Sequence, residues 1–303
     1  MRHTLKVTAD RSMSQAGFVL VMVLVLILLT GLSVAGFARK SLELAGSVAE
    51  AQETLQRRWG IQSCRQLLLQ DAEQLIEATV TESNPAVIPW PTPGFIQGDF
   101  ELGGLRFEFR LSDEDAKINL NTLAQRDTDP LNRLTSAARL SGSPAGLTPL
   151  IRWPSRKTSS QEKLPFRTWD QVFDLRNGGE AEELVDRLRR ATNEITCWGS
   201  GKLNLRRASD QAVQTVCQRE VREETLRKLL TSRRMGGFDD LDALLGQIVL
   251  KTPEAFALRR LLSTESKCHA LWLTVRNTRR SWSSLTIDGS GTGNPAAYES
   301  FVW

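Results

Sequence analysis

LSDEDAKINLNTL, residues 111–123, changes character in mid-phrase, and that change decides the fold. Upstream of it, GDFELGGLRFEFRL (98–111) alternates Leu105, Phe107, Phe109 and Leu111 with Arg106, Glu108 and Arg110. This is the period-two pattern of a half-buried strand, and Gly103-Gly104 sits where a hairpin turn belongs. Downstream, Leu-rich segments with scattered charges at 123–138, 168–175, 181–192, 210–230, 238–245 and 253–262 read as helices. Strand character returns only near the end, in HALWLTVRN (269–277), SWSSLTID (281–288) and YESFVW (298–303), with turns at 278–280 and in the Gly/Ser/Pro run 289–295. The expected class is therefore α+β: a small antiparallel sheet split by an all-α block of about 150 residues, a size that can own a core.

Within the deciding stretch, Asp113, Glu114 and Asp115 close the strand. Ile118 and Leu120 then alternate with Asn119 and Asn121. EITCWGSGKLNLRRAS (194–209) repeats the idea as Lys202-Leu203-Asn204-Leu205. Asn side chains in such extended pieces bond backbone at the entrance to a helix, so the repeat predicts two strands crossing near each other at the neck of the α block. Several carboxylates close together suit a hard cation such as calcium, but no complete ligand set can be matched, and a catalytic pair would lack a nucleophile-base partner. The triplet reads as a solvated strand end with helix-capping duty. The Ser/Pro run 141–160 reads as a mobile loop.

The N-terminus carries a second decisive run. No charge occurs between Ser12 and Ala38, and FVLVMVLVLILLTGLSVAGFA (18–38) gives about 31 Å of helix, the thickness of a bilayer core. Arg2, Lys6 and Arg11 precede it against a single Asp10, which places the short end in the cytoplasm and the long part across the membrane. From 41 to 80 the pattern stays helical, with Leu44, Val48, Ala51, Leu55 and Trp59 on one stripe and Gly60 as a place to bend. Together the two pieces predict one helix of about 60 residues, half in lipid and half amphipathic, ended by Pro85, Pro89, Pro91 and Pro93.

Composition removes several function classes. Lys and Arg number 39 against 35 Asp and Glu, a net charge of +4, and the two signs alternate, which is too thin an excess for a dedicated nucleic-acid binder. His3 and His269 are the only histidines, so a zinc triad or a relay needing two imidazoles cannot be built. Cys64, Cys197, Cys217 and Cys268 lack the CxxC spacing of metal knuckles, and they leave free buried thiols and one or two disulfides both open.

The leader, ending in Gln15-Ala16-Gly17 before Phe18, resembles a class III leader, the substrate of prepilin peptidase. In such leaders the cut follows the glycine, here Gly17, and leaves Phe18 as the new N-terminus. The fifth mature position, Glu in major pilins and most pseudopilins, is Met22 in this chain. Taken in order, the parts resemble the GspK family, the K-type minor pseudopilins of type II secretion systems. The likeness rests on the leader, the helix without that Glu, the DE-x-x-K-I-N-L-N segment at 113–121, helix-hairpin-helix-like units in FRTWDQVFDL (166–175) and GGFDDLDALL (236–245), the second N-L segment at Asn204, and the terminal strands. Where the family tends to N-L-N-T-A, this chain reads N-L-R-R-A, with Arg206 in place of an Asn.

That resemblance implies a cytoplasmic leader (1–17), a transmembrane and amphipathic helix (18–82), a pseudopilin β-domain (83–122 with 268–303) and an inserted α-domain (123–267). It implies a single-pass inner-membrane protein, its N-terminus cytoplasmic and its C-terminal part periplasmic. Its role would be structural rather than enzymatic, capping the tip of the pseudopilus and helping to start its assembly for protein export. The implied partners are other minor pseudopilins, prepilin peptidase and the inner-membrane secretion platform, with no nucleic acid. Asp113, Glu114, Lys117, Asn119, Asn121 and Asn204 would be structural motif residues. No cofactor is implied, although calcium occurs among pseudopilins of this system. The rival reading is a DNA-binding or tip subunit of a competence or type IV pilus system, holding DNA through arginines and helix hairpins.

Overall fold

The structure is a computed structural model that describes residues 12–81, 91–126, 130–152, 166–176, 181–236, 240–248, 252–278, 280–288 and 299–302. In chain order the elements are α1 (Ser12–Gln70), α2 (Ala72–Thr81), β1 (Phe95–Leu102), β2 (Leu105–Asp113), β3 (Ile118–Asn119), α3 (Leu120–Arg126), α4 (Pro130–Gly142), α5 (Ala181–Ala191), β4 (Ile195–Thr196), β5 (Leu203–Asn204), α6 (Asp210–Cys217), α7 (Glu223–Met235), α8 (Leu241–Ile248), α9 (Thr252–Leu261), β6 (Leu262–Ser263), β7 (His269–Arg276), β8 (Ser281–Ile287) and β9 (Glu299–Val302). The chain divides into two units, one up to Arg58 and one from Trp59 onward.

The first unit is the first part of α1, whose apolar run is long enough to cross a membrane and is not buried within the protein. Leu44, Val48 and Leu55 of the expected stripe are exposed, as is Trp59 at the start of the second unit. The buried face is set one residue further on: Gly60, Cys64, Leu69, Ala72 and Ile76. Gly60 does not interrupt the helix. A Cβ there would lie 2.3 Å from Cζ of Phe107, so glycine is what lets this ring lie against the helix. The long helix ends earlier than expected, at Gln70, with α2 following after Asp71.

The sheet has the order β1-β2-β7-β8-β9, each neighbour antiparallel. Gly103 and Gly104 join β1 to β2 with φ of 61° and 78°, the twist that a two-residue hairpin needs. β7 is buried along both faces, and its alternation assigns them. Leu271, Leu273 and Val275, with Leu105, Phe107 and Leu111 of β2, pack with Cys64, Leu69, Ala72 and Ile76. Ala270 and Trp272, with Leu285 and Ile287 of β8, belong to the apolar cluster of the helices that lie between β3 and β6. The helical block therefore does not keep a core to itself. Its core runs on into the sheet, each large buried side chain contributing about 1.5–3 kcal/mol.

Three local expectations are corrected. FRTWDQVFDL forms no helix hairpin: a 3-10 turn at Trp169–Gln171, boxed by Thr168 and Gln171, leads into an isolated bridge between Phe173 and Pro149. In the other hairpin-like stretch, α7 and α8 flank Gly236 (φ 69°), while residues 237–239 lie outside the described set. The single helix expected over 210–230 is two, because Arg222 turns extended (ψ 152°) and its N–H donates to Glu254 Oε1 at 3.0 Å instead of continuing the helix. Of the Ser/Pro run, Ser141 and Gly142 finish α4, Ser143–Ala145 form a 3-10 turn, and Phe173 packs where a Cβ on Gly142 would stand. This part is packed, and 153–160 lie outside the described residues.

A buried polar neck as the candidate functional site

At the end of β2 the chain must leave the sheet, and the polar residues that take it out are buried. Asp113 has no exposed surface, Glu114 and Asp115 have 2% each, and Lys117 has 7%. The expectation of a solvated strand end is thus overturned. The reason is that donors arriving from distant parts of the chain surround each carboxylate, which is the condition for burying charge.

Asp113 pairs across the sheet with His269. Its Oδ1 accepts from the Ala116 N–H at 3.1 Å and from the Ser266 hydroxyl, while Oδ2 accepts from Asn204 Nδ2 at 2.9 Å and from Arg207 Nη1 at 3.3 Å. Glu114 Oε1 accepts from Lys117 Nζ at 2.5 Å and Ser112 Oγ at 2.9 Å, and its Oε2 accepts from Thr196 Oγ1 at 2.5 Å. Asp115 Oδ1 is wrapped by the turn Gly199-Ser200-Gly201, taking the Ser200 N–H at 2.6 Å and hydroxyl at 2.9 Å, and Oδ2 takes the Lys267 N–H at 2.8 Å. The wrapping turn needs glycine: Gly199 has φ 107°, and a Cβ on it would stand 2.7 Å from Asp115 Oδ1.

The asparagines extend the same knot. Asn119 donates to the Trp198 carbonyl at 2.6 Å and its Oδ1 caps α3 by accepting the Thr122 N–H at 3.0 Å. Asn121 donates to the carbonyls of Cys197 (2.6 Å) and Phe166 (3.0 Å) and accepts the Phe166 N–H at 2.6 Å. The two N-L segments do not pair with each other. β3 runs parallel to β4 and β5 parallel to β6, and the pairs are linked by the Asn204 N–H to the Asp115 carbonyl at 2.6 Å. Arg206, the departure from the expected motif, keeps the local turn by donating its N–H to Asn204 Oδ1 at 3.0 Å, and its guanidinium meets Glu77 at 3.5 Å.

Arg207 is the residue that sequence reading passed over. Buried at 7% exposure, it joins Asp113 of β2 to Glu73 of α2, the latter at 2.7 Å, and Glu73 also meets His269 Nε2 at 3.2 Å. Burial alone would raise the Glu73 pKa, but hydrogen bonds from His269 and Arg207 outweigh it and hold the carboxyl at about 2. Asp115 moves the other way: burial, assisted by the charge of Asp113, raises it despite the bonds from Lys267 and Ser200. Ser200, Ser266, Thr196 and Arg207 carried no local signal, since each reaches its carboxylate from more than 80 residues away.

Every oxygen of the three carboxylates is committed to an internal donor, and among the described residues no group of three or more His, Cys, Asp or Glu is placed to hold a metal ion. Cys64, Cys197, Cys217 and Cys268 are all buried free thiols. Burial pushes Cys217 up to about 12 and raises Cys197 and Cys268 as well, which suppresses thiolate chemistry. At the other end, Gly17 and Phe18 lie within α1, and Phe18 and Met22 are exposed.

No protein-family model matches this chain, and no curated protein matches it. Among solved structures it is similar to a chain in the crystal structure of the GspK-GspI-GspJ complex from the enterotoxigenic Escherichia coli Type 2 Secretion System. That similarity covers 84% of this chain and 99% of the other at 15% identity, with a TM-score of 0.49.

Proposed function

We propose that this chain is a non-enzymatic minor pseudopilin of a type II secretion system, held in the inner membrane by residues 18–38 and capping the tip of the periplasmic pseudopilus. The observation that carries the reading is that the apolar span and the segment packed on the antiparallel sheet belong to one helix, α1, so a cut after Gly17 would leave the anchor on the mature protein. In this reading residues 1–17 are a cytoplasmic leader removed by prepilin peptidase, and the helical block (123–267) sits as an insertion in the β-domain. The neck residues serve architecture, without a cofactor. Met22 supplies no carboxylate for the N-terminal ammonium of a neighbour, a contact that only a subunit inside the fibre requires, and an unpaired charge in lipid is costly. A bulky helical block above the sheet leaves no room for a further subunit, so the chain would start the fibre and join other minor pseudopilins below it.

Immunogold labelling of overproduced pseudopili tests this directly. Label at one end of each fibre is expected, and label at regular intervals along the shaft would overturn the tip assignment. Mass spectrometry of the membrane-extracted protein should find Phe18 at the N-terminus, whereas an N-terminus near Gly36 would mean ordinary signal-peptidase processing and no retained anchor. Saturable DNA binding at physiological salt would favour a competence or pilus role instead.

A further inference from the structure

Beside the neck lies a cleft of about 370 Å³, walled by the extended segment from Pro91 to Gly94, Phe95 of β1, Arg110 of β2, the Asn193-Glu194 turn and Arg207. Most of the charge on its walls is already matched. Arg207 is tied to Glu73 and Asp113, and Lys117 to Glu114. Arg110 is different. Its guanidinium lies 3.9 Å from the centroid of the Phe95 ring, and among the described residues it has neither a carboxylate at ion-pair distance nor a hydrogen-bond acceptor. Burial, with Arg189 as a like-charged neighbour, pulls its pKa down to about 10, while Arg189 itself is paired with Asp186 at 2.7 Å. A half-buried guanidinium set over an aromatic ring face leaves its N–H donors for another group, and a guanidinium can take a carboxylate through two parallel bonds.

We propose that this cleft is a carboxylate-binding site in which Arg110, set over the Phe95 ring, grips the ligand. Glu194, whose carboxylate accepts from the Ser209 hydroxyl, stands in the same cleft and opposes a divalent anion such as phosphate. The carboxylate can come from an acidic side chain of another protein or from a small free acid. The site is independent of the pseudopilin reading, since nothing in it depends on the membrane anchor.

Calorimetric titration of the full chain in detergent micelles tests it, with sodium acetate in one arm and the blocked tripeptide N-acetyl-Gly-Glu-Gly-amide in the other. Saturable binding in either arm supports the site, and the arm that binds identifies the source. Arg110→Gln should weaken binding by about tenfold or more, the worth of a charge-assisted hydrogen bond, with Arg110→Lys retaining part of it. The glutamine tripeptide N-acetyl-Gly-Gln-Gly-amide needs no variant and should not bind the natural chain. Failure of both arms, equal binding of the glutamine tripeptide, undiminished binding by a folded Arg110→Gln, or equal affinity for inorganic phosphate would each overturn the proposal.

Discussion

The neck and the outer face of α7 use the same residue types to opposite ends. On α7, Arg227 meets Glu223 at 3.1 Å and Lys228 meets Glu224 at 2.9 Å, all four side chains more than half exposed. At the neck, Lys117 meets Glu114 at 2.5 Å with both nearly sealed from solvent, and Arg207 meets Asp113 at 3.3 Å likewise. In water such pairs are screened and contribute a few tenths of a kcal/mol. Out of water a charge is tolerable only with its full set of partners, so the neck has one acceptable arrangement where the surface has many. Burial, and not the identity of the ion pair, turns the same chemistry into a specification of how the sheet and helices are joined.

Removing one neck partner is the hardest test of that contrast. Asp113→Ala takes from the buried Arg207 guanidinium its one buried carboxylate, leaving the half-exposed Glu73 and Glu77, and strips the acceptor from Asn204, Ser266 and the Ala116 N–H. Denaturant unfolding should show a loss of about 3–5 kcal/mol. A loss below about 1 kcal/mol would place the neck with the surface pairs. The neutral part of the knot comes next. Asn119→Ala with Asn121→Ala removes the side-chain partners of the Phe166 N–H and carbonyl and of the Cys197 and Trp198 carbonyls, and should cost about 1–3 kcal/mol in the same assay.

The half-exposed tie between α2 and the neck should fall between these extremes and the surface. Because the Glu73 pKa is lowered from 4.5 to about 2, its contribution is complete above pH 4.5 and is lost as pH falls from there toward 2. The stability difference between the natural chain and Glu73→Gln should therefore be about 1 kcal/mol at neutral pH, discounted for partial exposure, and vanish near pH 2. Taking the difference cancels Asp115, whose raised pKa acts in the opposite sense. A difference that grows on acidification would contradict the tie. At the bottom of the scale, Arg227→Gln should move the thermal midpoint by no more than the equivalent of about 0.5 kcal/mol.

The fold was legible where local physics decides it. Alternation in residues 105–111, the paired glycines 103 and 104 and the terminal strands named the sheet correctly, and Leu-rich periodicity named most helices. Two kinds of feature were not legible. The stripe at Leu44, Val48, Leu55 and Trp59 has perfect helical spacing, yet it is exposed, because periodicity reports an apolar face and not what covers it. The acidic triplet reads as solvated because charged side chains usually are, and the donors that allow its burial, such as Ser200, Ser266 and Arg207, lie far along the chain. One local hint was present: Glu114 and Lys117 at i and i+3, with Ser112 near the end of β2, already form a self-satisfying set.

Hydrogen exchange on Ser266→Ala tests most directly whether the neck is one cooperative lock. The substitution removes a single donor to Asp113 and touches neither parallel strand pair by itself. If Asp113 binds the two pairs together, the Ile118 N–H, bonded to the Glu194 carbonyl, and the Leu205 N–H, bonded to the Ser263 carbonyl, should both exchange faster by the same factor, about tenfold for the loss of one buried hydrogen bond. Acceleration confined to Leu205, with Ile118 keeping its natural protection, would show two separate joints and contradict the lock.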